Sequence, residues 1–227
     1  MDQEAQKALV AKVALDYIQE GMVVGIGTGS TVRYLIEALT SMKHRIKGTV
    51  ASSVATEILL KAQGIPVLDF NTISELDLYI DGADACDPQH QLLKGQGGAL
   101  TREKILATAS QTFICIIDQS KLVQTLSQQP VCVEVIPMAR SFVARAIVKL
   151  GGRPVYQEKK ITDNGNIILE VRDWLFEEAC ALESALDQIP GVVGNGIFAK
   201  RKTDQVLVAY SQGVEKRLPF DTYRESR

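Results

Sequence analysis

Histidine is scarce in this chain of 227 residues, which has only His44 and His90. A histidine-rich metal site is therefore not expected, and a Ser-His-Asp triad has few candidates for its base. The four cysteines, Cys86, Cys115, Cys132 and Cys180, form no CxxC pair. Cys115 and Cys132 lie in apolar runs and read as reduced core residues. No run approaches the roughly 20 apolar residues of a membrane helix. The start, Met1-Asp2-Gln3-Glu4, is acidic and lacks a signal-peptide core. The expectation is a cytoplasmic protein without a membrane partner. A formal net charge of -2, not segregated along the chain, gives no electrostatic footprint for nucleic acid. Internal repeats and low-complexity tracts are missing too. What is present is 46% hydrophobic and 23% charged, an ordinary globular composition sufficient for one large domain or two small ones.

Hydrophobic spacing organises the chain. Leu9, Val10, Val13, Tyr17 and Ile18 predict an amphipathic helix over 4–19, ended by Gly21. Residues 22–26 read as a buried strand, and Val32, Leu35, Ile36 and Leu39 as the stripe of a second helix. Strands at 48–52, 65–70, 78–81 and 113–118 alternate with helices at 56–63 and 101–109, which argues for a parallel sheet covered on both faces. The pattern changes near Pro130. A strand at 131–136 and a helix at 139–150, carrying Phe142, Val143, Ala146 and Leu150, precede two strands at 154–158 and 166–171. Asp163-Asn164-Gly165 between them is a hairpin signal. A helix at 177–188 and strands at 192–199 and 205–210 follow. The order β-α-β-β-α-β is the ferredoxin-like split motif. The fold class expected is α/β, a Rossmann-like parallel sheet domain (1–129 plus 203–227) with a smaller ferredoxin-like α+β domain (130–202) serving oligomerisation. The tail, 218–227, reads as polar and frayed.

Chemistry concentrates in three segments. Gly27, Gly29, Ser30 and Thr31 lie between a strand and a helix, where exposed N–H groups favour an anion and glycines let it approach. The turn lacks the lysine of a Walker A loop and the third glycine of GxGxxG, so a ligand-free βα turn is an equal reading. Asp81 and Asp84 end an apolar strand, where open α/β sheets bind ligands, and paired carboxylates can divide acid and base work. Capping and solvation are the plainer roles. A metal there would need Asp87 or His90 as a third ligand. Lys94, beside Gly95, Gly97 and Gly98, can stabilise an oxyanion. Glu103 follows Thr101, a plausible N-cap, so the helix N-terminus is expected to keep it ionised and able to accept a proton. Lys7 and Lys121 are candidate phosphate partners. Each of these lysines alone reads more simply as a surface group.

The combination is more specific than its parts. Gly27-Thr28-Gly29-Ser30-Thr31, Asp81-Gly82-Ala83-Asp84, Lys94-Gly95-Gln96-Gly97-Gly98-Ala99-Leu100-Thr101-Arg102-Glu103-Lys104 and Val135-Ile136-Pro137-Met138-Ala139-Arg140 closely resemble the A-type ribose-5-phosphate isomerases. So do Lys149-Leu150-Gly151-Gly152-Arg153-Pro154, Thr162-Asp163-Asn164-Gly165-Asn166 and Ile189-Pro190-Gly191-Val192-Val193. The likeness runs over roughly residues 4–217 in the family's order. It implies interconversion of D-ribose 5-phosphate and D-ribulose 5-phosphate in the pentose phosphate pathway, no metal or organic cofactor, and a homodimer. It also implies Glu103 as catalytic base. Substrate contacts would come from Thr28, Gly29, Ser30 and Thr31, from Asp81, Gly82, Ala83 and Asp84, and from Lys94, Gly95, Gln96 and Gly97, with Lys121 and Lys7. Two departures stand out. Ala85 replaces the glutamate of the usual DGADE, losing a carboxylate near the crevice. Gln96 and Gly98 replace residues of the usual KGGGAA, and the Gln96 side chain is expected to point outward.

The mechanism expected is ring opening by Asp81, with Asp84 and Lys94 holding sugar hydroxyls, then removal of the C2 proton by Glu103 while Lys94 and the glycine-loop N–H groups carry the oxyanion. Two other classes compete. A sugar-phosphate sensor of a transcriptional regulator would show a basic DNA-binding face and would need no base at residue 103. An acyl-CoA transferase would use a glutamate as nucleophile. Only isomerisation exchanges the C2 proton with solvent.

Overall fold

The computed structural model describes residues 1–127 and 129–218. The tail expected over 218–227 lies, beyond Leu218, outside them. The chain begins with α1 (Gln3–Ala14), β1 (Val23–Ile26), α2 (Ser30–Leu39), β2 (Gly48–Ala51), α3 (Val54–Ala62), β3 (Leu76–Asp81), β4 (Ala85–Cys86) and β5 (Leu92–Leu93). It continues with α4 (Leu100–Ala109), β6 (Ser110–Asp118), β7 (Val131–Val135), α5 (Arg140–Lys149), β8 (Arg153–Ile161) and β9 (Ile167–Arg172). It closes with α6 (Ala179–Asp187), β10 (Val192–Asn195), β11 (Ile197–Phe198), β12 (Gln205–Tyr210) and β13 (Gly213–Arg217).

Six strands form the main sheet in the order β13-β12-β6-β3-β1-β2. All neighbours are parallel except the edge pair β12–β13. One face is covered by α1, α2 and α3. Val32, Leu35, Ile36 and Leu39 of α2 are all buried there against Val24, Ile26 and Ile80. Each such side chain contributes about 1.5–3 kcal/mol by leaving water. The alternate residues Val23, Tyr79, Phe113 and Cys115 point to the other face, where Leu106 and Ala107 of α4 meet them. This alternation is the period of a strand buried on both sides.

Strands β7 to β10 form an antiparallel sheet in the order β10-β7-β9-β8, with α5 and α6 in the β-α-β-β-α-β sequence of the split motif. Cys86, Cys115 and Cys132 are buried free thiols, and Cys180 is exposed and free.

Several expectations need correction. No strand forms at 65–70. Pro66 has no N–H to donate, and the segment makes one isolated bridge, Thr49 to Val67, before Asp69 caps a short 3-10 turn over Phe70–Thr72. The strand expected over 192–199 breaks at Gly196. Its N–H donates to Cys132 O at 2.8 Å and its carbonyl accepts from Lys94 N at 2.9 Å. A Cβ there would lie 2.0 Å from Lys94 O, so only glycine permits the approach. β11 thereby leaves β10 and joins β5 and β4 in a third, three-stranded sheet. On α5, Val143 is buried as expected, but Phe142 and Leu150 are exposed and Ile147 is buried in their place.

A candidate active site at the carboxyl ends of the parallel strands

A cleft of about 140 Å³ opens beyond the ends of β1, β3 and β6. The turn after β1 supplies Thr28, Gly29, Ser30 and Thr31, and the turn after β3 supplies Gly82, Ala83 and Asp84. Lys94, Gly95 and Gly97 come from the glycine loop, Glu103 from α4, Lys121 from beyond β6, and Lys7 from α1. Gln3 and Ile117 also line it; sequence reasoning missed both. The spacing of Gln3 and Lys7, four apart on one helix face, was the available signal for Gln3.

The expected residues do not all reach the cleft. Asp81, taken first as the ring-opening acid, is fully buried beneath it. Its Oδ1 accepts the N–H groups of Thr28 at 3.0 Å and Gly82 at 2.7 Å. Its Oδ2 accepts from the Tyr79 hydroxyl and sits 2.7 Å from Lys94 Nζ. Gly27 makes room for this carboxylate, because a Cβ there would lie 1.9 Å from Asp81 Cγ. Tyr79, two residues before Asp81 on the same strand face, is held protonated by burial and by the Asp81 and Glu103 charges.

Lys94 is 4% exposed. Besides Asp81, its Nζ donates to Gly82 O at 2.6 Å and lies 3.4 Å from Glu103 Oε1. Burial alone would lower its pKa, but the Asp81 and Glu103 carboxylates outweigh burial and raise it. Lys94 is thus a fixed ammonium in the cleft wall.

Glu103 is also 4% exposed. Thr101 does not cap its helix: Ala99 holds the N-cap position without a side-chain hydrogen bond, and Thr101 Oγ1 donates to Glu134. Nor does the helix N-terminus decide the protonation of Glu103. Burial pushes its pKa up to about 8, against the pull of Lys94 and with the support of Asp81 and Asp84. Its Oε2 is buried without a hydrogen-bond partner among the described residues. A carboxylate in this state is a stronger base than an exposed one and titrates near neutral pH.

At the other end of the cleft, Gly29 takes φ +125°, a conformation that favours glycine. It turns the chain into α2, whose N-terminus has no side-chain cap. The first N–H groups of α2 and the Ser30 and Thr31 hydroxyls are therefore suited to an anion. Lys7 is buried and paired with Glu4 at 2.7 Å, and Lys121 is half-buried. Thr28 lines the cleft but commits its N–H to Asp81 and its hydroxyl to Ser52, Ser53 and Thr56.

The two departures fall away from the chemistry. Ala85 is buried in the apolar cluster with Leu93 and Val131, so a side chain there faces core and not crevice. Gln96 is exposed and does not line the cleft. Its N–H donates to Asp84 Oδ2 at 3.0 Å, and its carbonyl accepts from Lys160. Among the described residues no group of three or more His, Cys, Asp or Glu is placed to hold a metal ion. Asp87 instead accepts the N–H groups of Gln89 and Gln91.

The family model described as Ribose 5-phosphate isomerase A (phosphoriboisomerase A) matches residues 48–213. A Legionella pneumophila (strain Lens) protein named ribose-5-phosphate isomerase A is 58% identical over 208 residues, covering 92% of this chain and 96% of that protein. The crystal structure of ribose 5 phosphate isomerase A from Neisseria gonorrhoeae superposes with a TM-score of 0.94 at 38% identity, covering 96% of this chain and 98% of that one. A further D-ribose-5-phosphate isomerase, solved in complex with phospho-erythronic acid, matches with a TM-score of 0.90 at 36% identity, covering 96% of this chain and 100% of that one.

Proposed function

The chain belongs to the ribose 5-phosphate isomerase A family, and from that premise we propose how its cleft interconverts D-ribose 5-phosphate and D-ribulose 5-phosphate, a step of the pentose phosphate pathway. The observation that carries the reading is the pairing of a buried, unpartnered Glu103 oxygen with a Lys94 ammonium fixed by Asp81.

The phosphate sits at the N-terminus of α2, held by the 29–31 N–H groups with Lys7 and Lys121 adding charge. It is remote from the reacting carbons, so its binding energy orients the sugar rather than changing the chemistry directly. Ring opening passes to Asp84, whose carboxylate lines the cleft, because Asp81 is fully engaged below it. Glu103, ionised, takes the C2 proton of the open aldose. Negative charge then develops on O1, where Lys94 and the N–H groups of Gly95 and Gly97 stabilise it. A proton moves from O2 to O1 through Asp84, and Glu103 returns its proton to C1, which leaves the ketose. That a relative was solved in complex with phospho-erythronic acid supports the substrate class, since a carboxylate joined to a phosphorylated carbon chain resembles the enediolate in charge and planarity.

The apolar surface at Ile136, Met138 and Phe142, with Met138 94% exposed, supports a homodimer formed through the 130–202 unit, the remainder being the catalytic domain. A cytoplasmic location is part of the same reading. Sedimentation equilibrium reads the assembly directly.

The test of the chemistry is conversion of ribose 5-phosphate by EDTA-treated protein in D2O, beside Glu103→Gln. Wild type should form ribulose 5-phosphate with solvent deuterium at the exchanging carbon, and the variant should lose nearly all turnover while still binding inorganic phosphate. Wild-type turnover in Glu103→Gln would refute the base assignment.

A further inference from the structure

Glu103 lies between Thr101, Arg102 and Lys104 at the start of α4, and all three neighbours bond to the smaller antiparallel unit. Thr101 Oγ1 donates to Glu134 Oε2 at 2.5 Å. Glu134, on β7, is fully buried. Its other oxygen accepts from Thr162 Oγ1 at 2.8 Å, Asn166 Nδ2 at 2.8 Å and Asn164 Nδ2 at 3.1 Å. Arg102 reaches the same turn, with Nε donating to Asn164 Oδ1 at 2.8 Å and a terminal nitrogen to Asp163 O at 3.0 Å. Lys104 Nζ holds Glu183 at 2.7 Å and Ile197 O at 2.6 Å. The hairpin also touches the rest of the site. Lys160 donates to the Gln96 carbonyl in the loop that carries Lys94, and Asp163 accepts the first N–H of α3 at 2.8 Å.

We propose that Glu134 and the 162–166 turn are a positioning device for the base, which fixes the rotation of the first turn of α4 and hence the aim of Glu103. Apolar packing sets how far a helix stands from a sheet but tolerates rotation about its axis. A buried carboxylate with four donors does not, because each lost bond leaves a desolvated group unpaired. Displacement of a reacting group by about 1 Å can cost on the order of 10² in rate. Glu134 and Thr101 are thus positioning residues that act through Glu103, and the smaller unit contributes to catalysis as well as to assembly. The inference rests on Glu103 being the base.

Thr101→Val keeps the side-chain shape and removes only the link from α4 to Glu134, while Thr101→Ser retains it. For Thr101→Val, well below its melting temperature, kcat should fall about tenfold or more with KM for ribose 5-phosphate within about threefold of wild type, and Thr101→Ser should recover kcat to within about threefold. A smaller kcat loss, a loss falling on KM, or a serine variant no better than valine overturns the proposal. If Thr101→Val does not fold, Asn164→Ala at an exposed position is read in the same way, with about threefold or more expected in kcat and anything less counting against the device. Glu103→Gln measured alongside separates the two failures. If it retains turnover the base reading falls. If it is inactive while Thr101→Val matches wild type, only the positioning device falls.

Discussion

Asp81→Asn exchanges the carboxylate beneath the cleft for an amide of the same shape. The native Oδ1 accepts two backbone N–H groups, and Oδ2 faces the Tyr79 hydroxyl and the Lys94 ammonium. An amide offers one acceptor oxygen and one donor nitrogen. Whichever way it turns, its NH2 meets either the two backbone N–H groups or the ammonium. With the NH2 towards Lys94, the ammonium keeps, among the described residues, Gly82 O at 2.6 Å and Glu103 Oε1 at 3.4 Å. Breaking a buried ion pair from one side costs about 3–5 kcal/mol, against a total stability of about 5–15 kcal/mol. At about 2–4 °C per kcal/mol for a chain of this size, the melting temperature should fall by roughly 6–20 °C. Lys94 should swing towards Glu103 and away from the substrate oxygen, lowering kcat on the order of 10²–10³. Loss of the Asp81 charge also removes one cause of the raised Glu103 pKa, so the acid limb of kcat/KM should move to lower pH. Thermal melts and ketopentose formation across about pH 5–9 read all three effects. A wild-type melting temperature, or an acid limb that stays in place or moves up, refutes the argument that Asp81 works by holding Lys94 and raising Glu103.

Two further outcomes follow from the same geometry. Burial raises the Glu103 pKa in the folded state to about 8, so the folded protein keeps a proton that the unfolded chain has released above the ordinary glutamate range of about 4.3. Stability from this group is fully present below that range and declines as pH rises towards about 8. Glu103→Gln removes the titration, so its melting temperature relative to wild type should increase between those limits; a difference constant with pH contradicts the assignment. Gly27→Ala places a methyl group 1.9 Å from Asp81 Cγ, and should cost about 1–3 kcal/mol or more by overpacking together with most of the activity. A variant with native stability and rate would show that the carboxylate can move without consequence.

Local signals in the sequence were sufficient where local forces decide. The stripe Val32-Leu35-Ile36-Leu39 is buried as its spacing requires, and the β-α-β-β-α-β order of 131–199 folds in the strand order of the split motif. The failures involve partners distant in the chain. Pro66 removes a donor that the apolar run 65–70 would have needed, and Gly196 yields to the Lys94 backbone about a hundred residues earlier. Most of the residues that line the cleft were legible as a set, because glycines and charges cluster in short motifs. Their states were not. Asp81 reads as a free acid until Tyr79, Thr28 and Lys94 close around it, and Glu103 reads as an ordinary first-turn carboxylate until burial raises its pKa. Thr101 looks like a cap until Glu134, 33 positions further on, takes its hydroxyl.

The position of β12 also constrains the order of synthesis. It lies between β6 and β13, with Gln205 beside Ile114. A chain emerging from the ribosome therefore carries β6 as an open edge while the whole 131–199 unit is made, and an unpaired edge of this apolar strand is a template for association with other chains. Closing the main sheet is a late, long-range event, of the kind that slows folding. Strands β7 to β10, which pair within the continuous stretch 131–195, can be complete before the sheet that carries the candidate cleft.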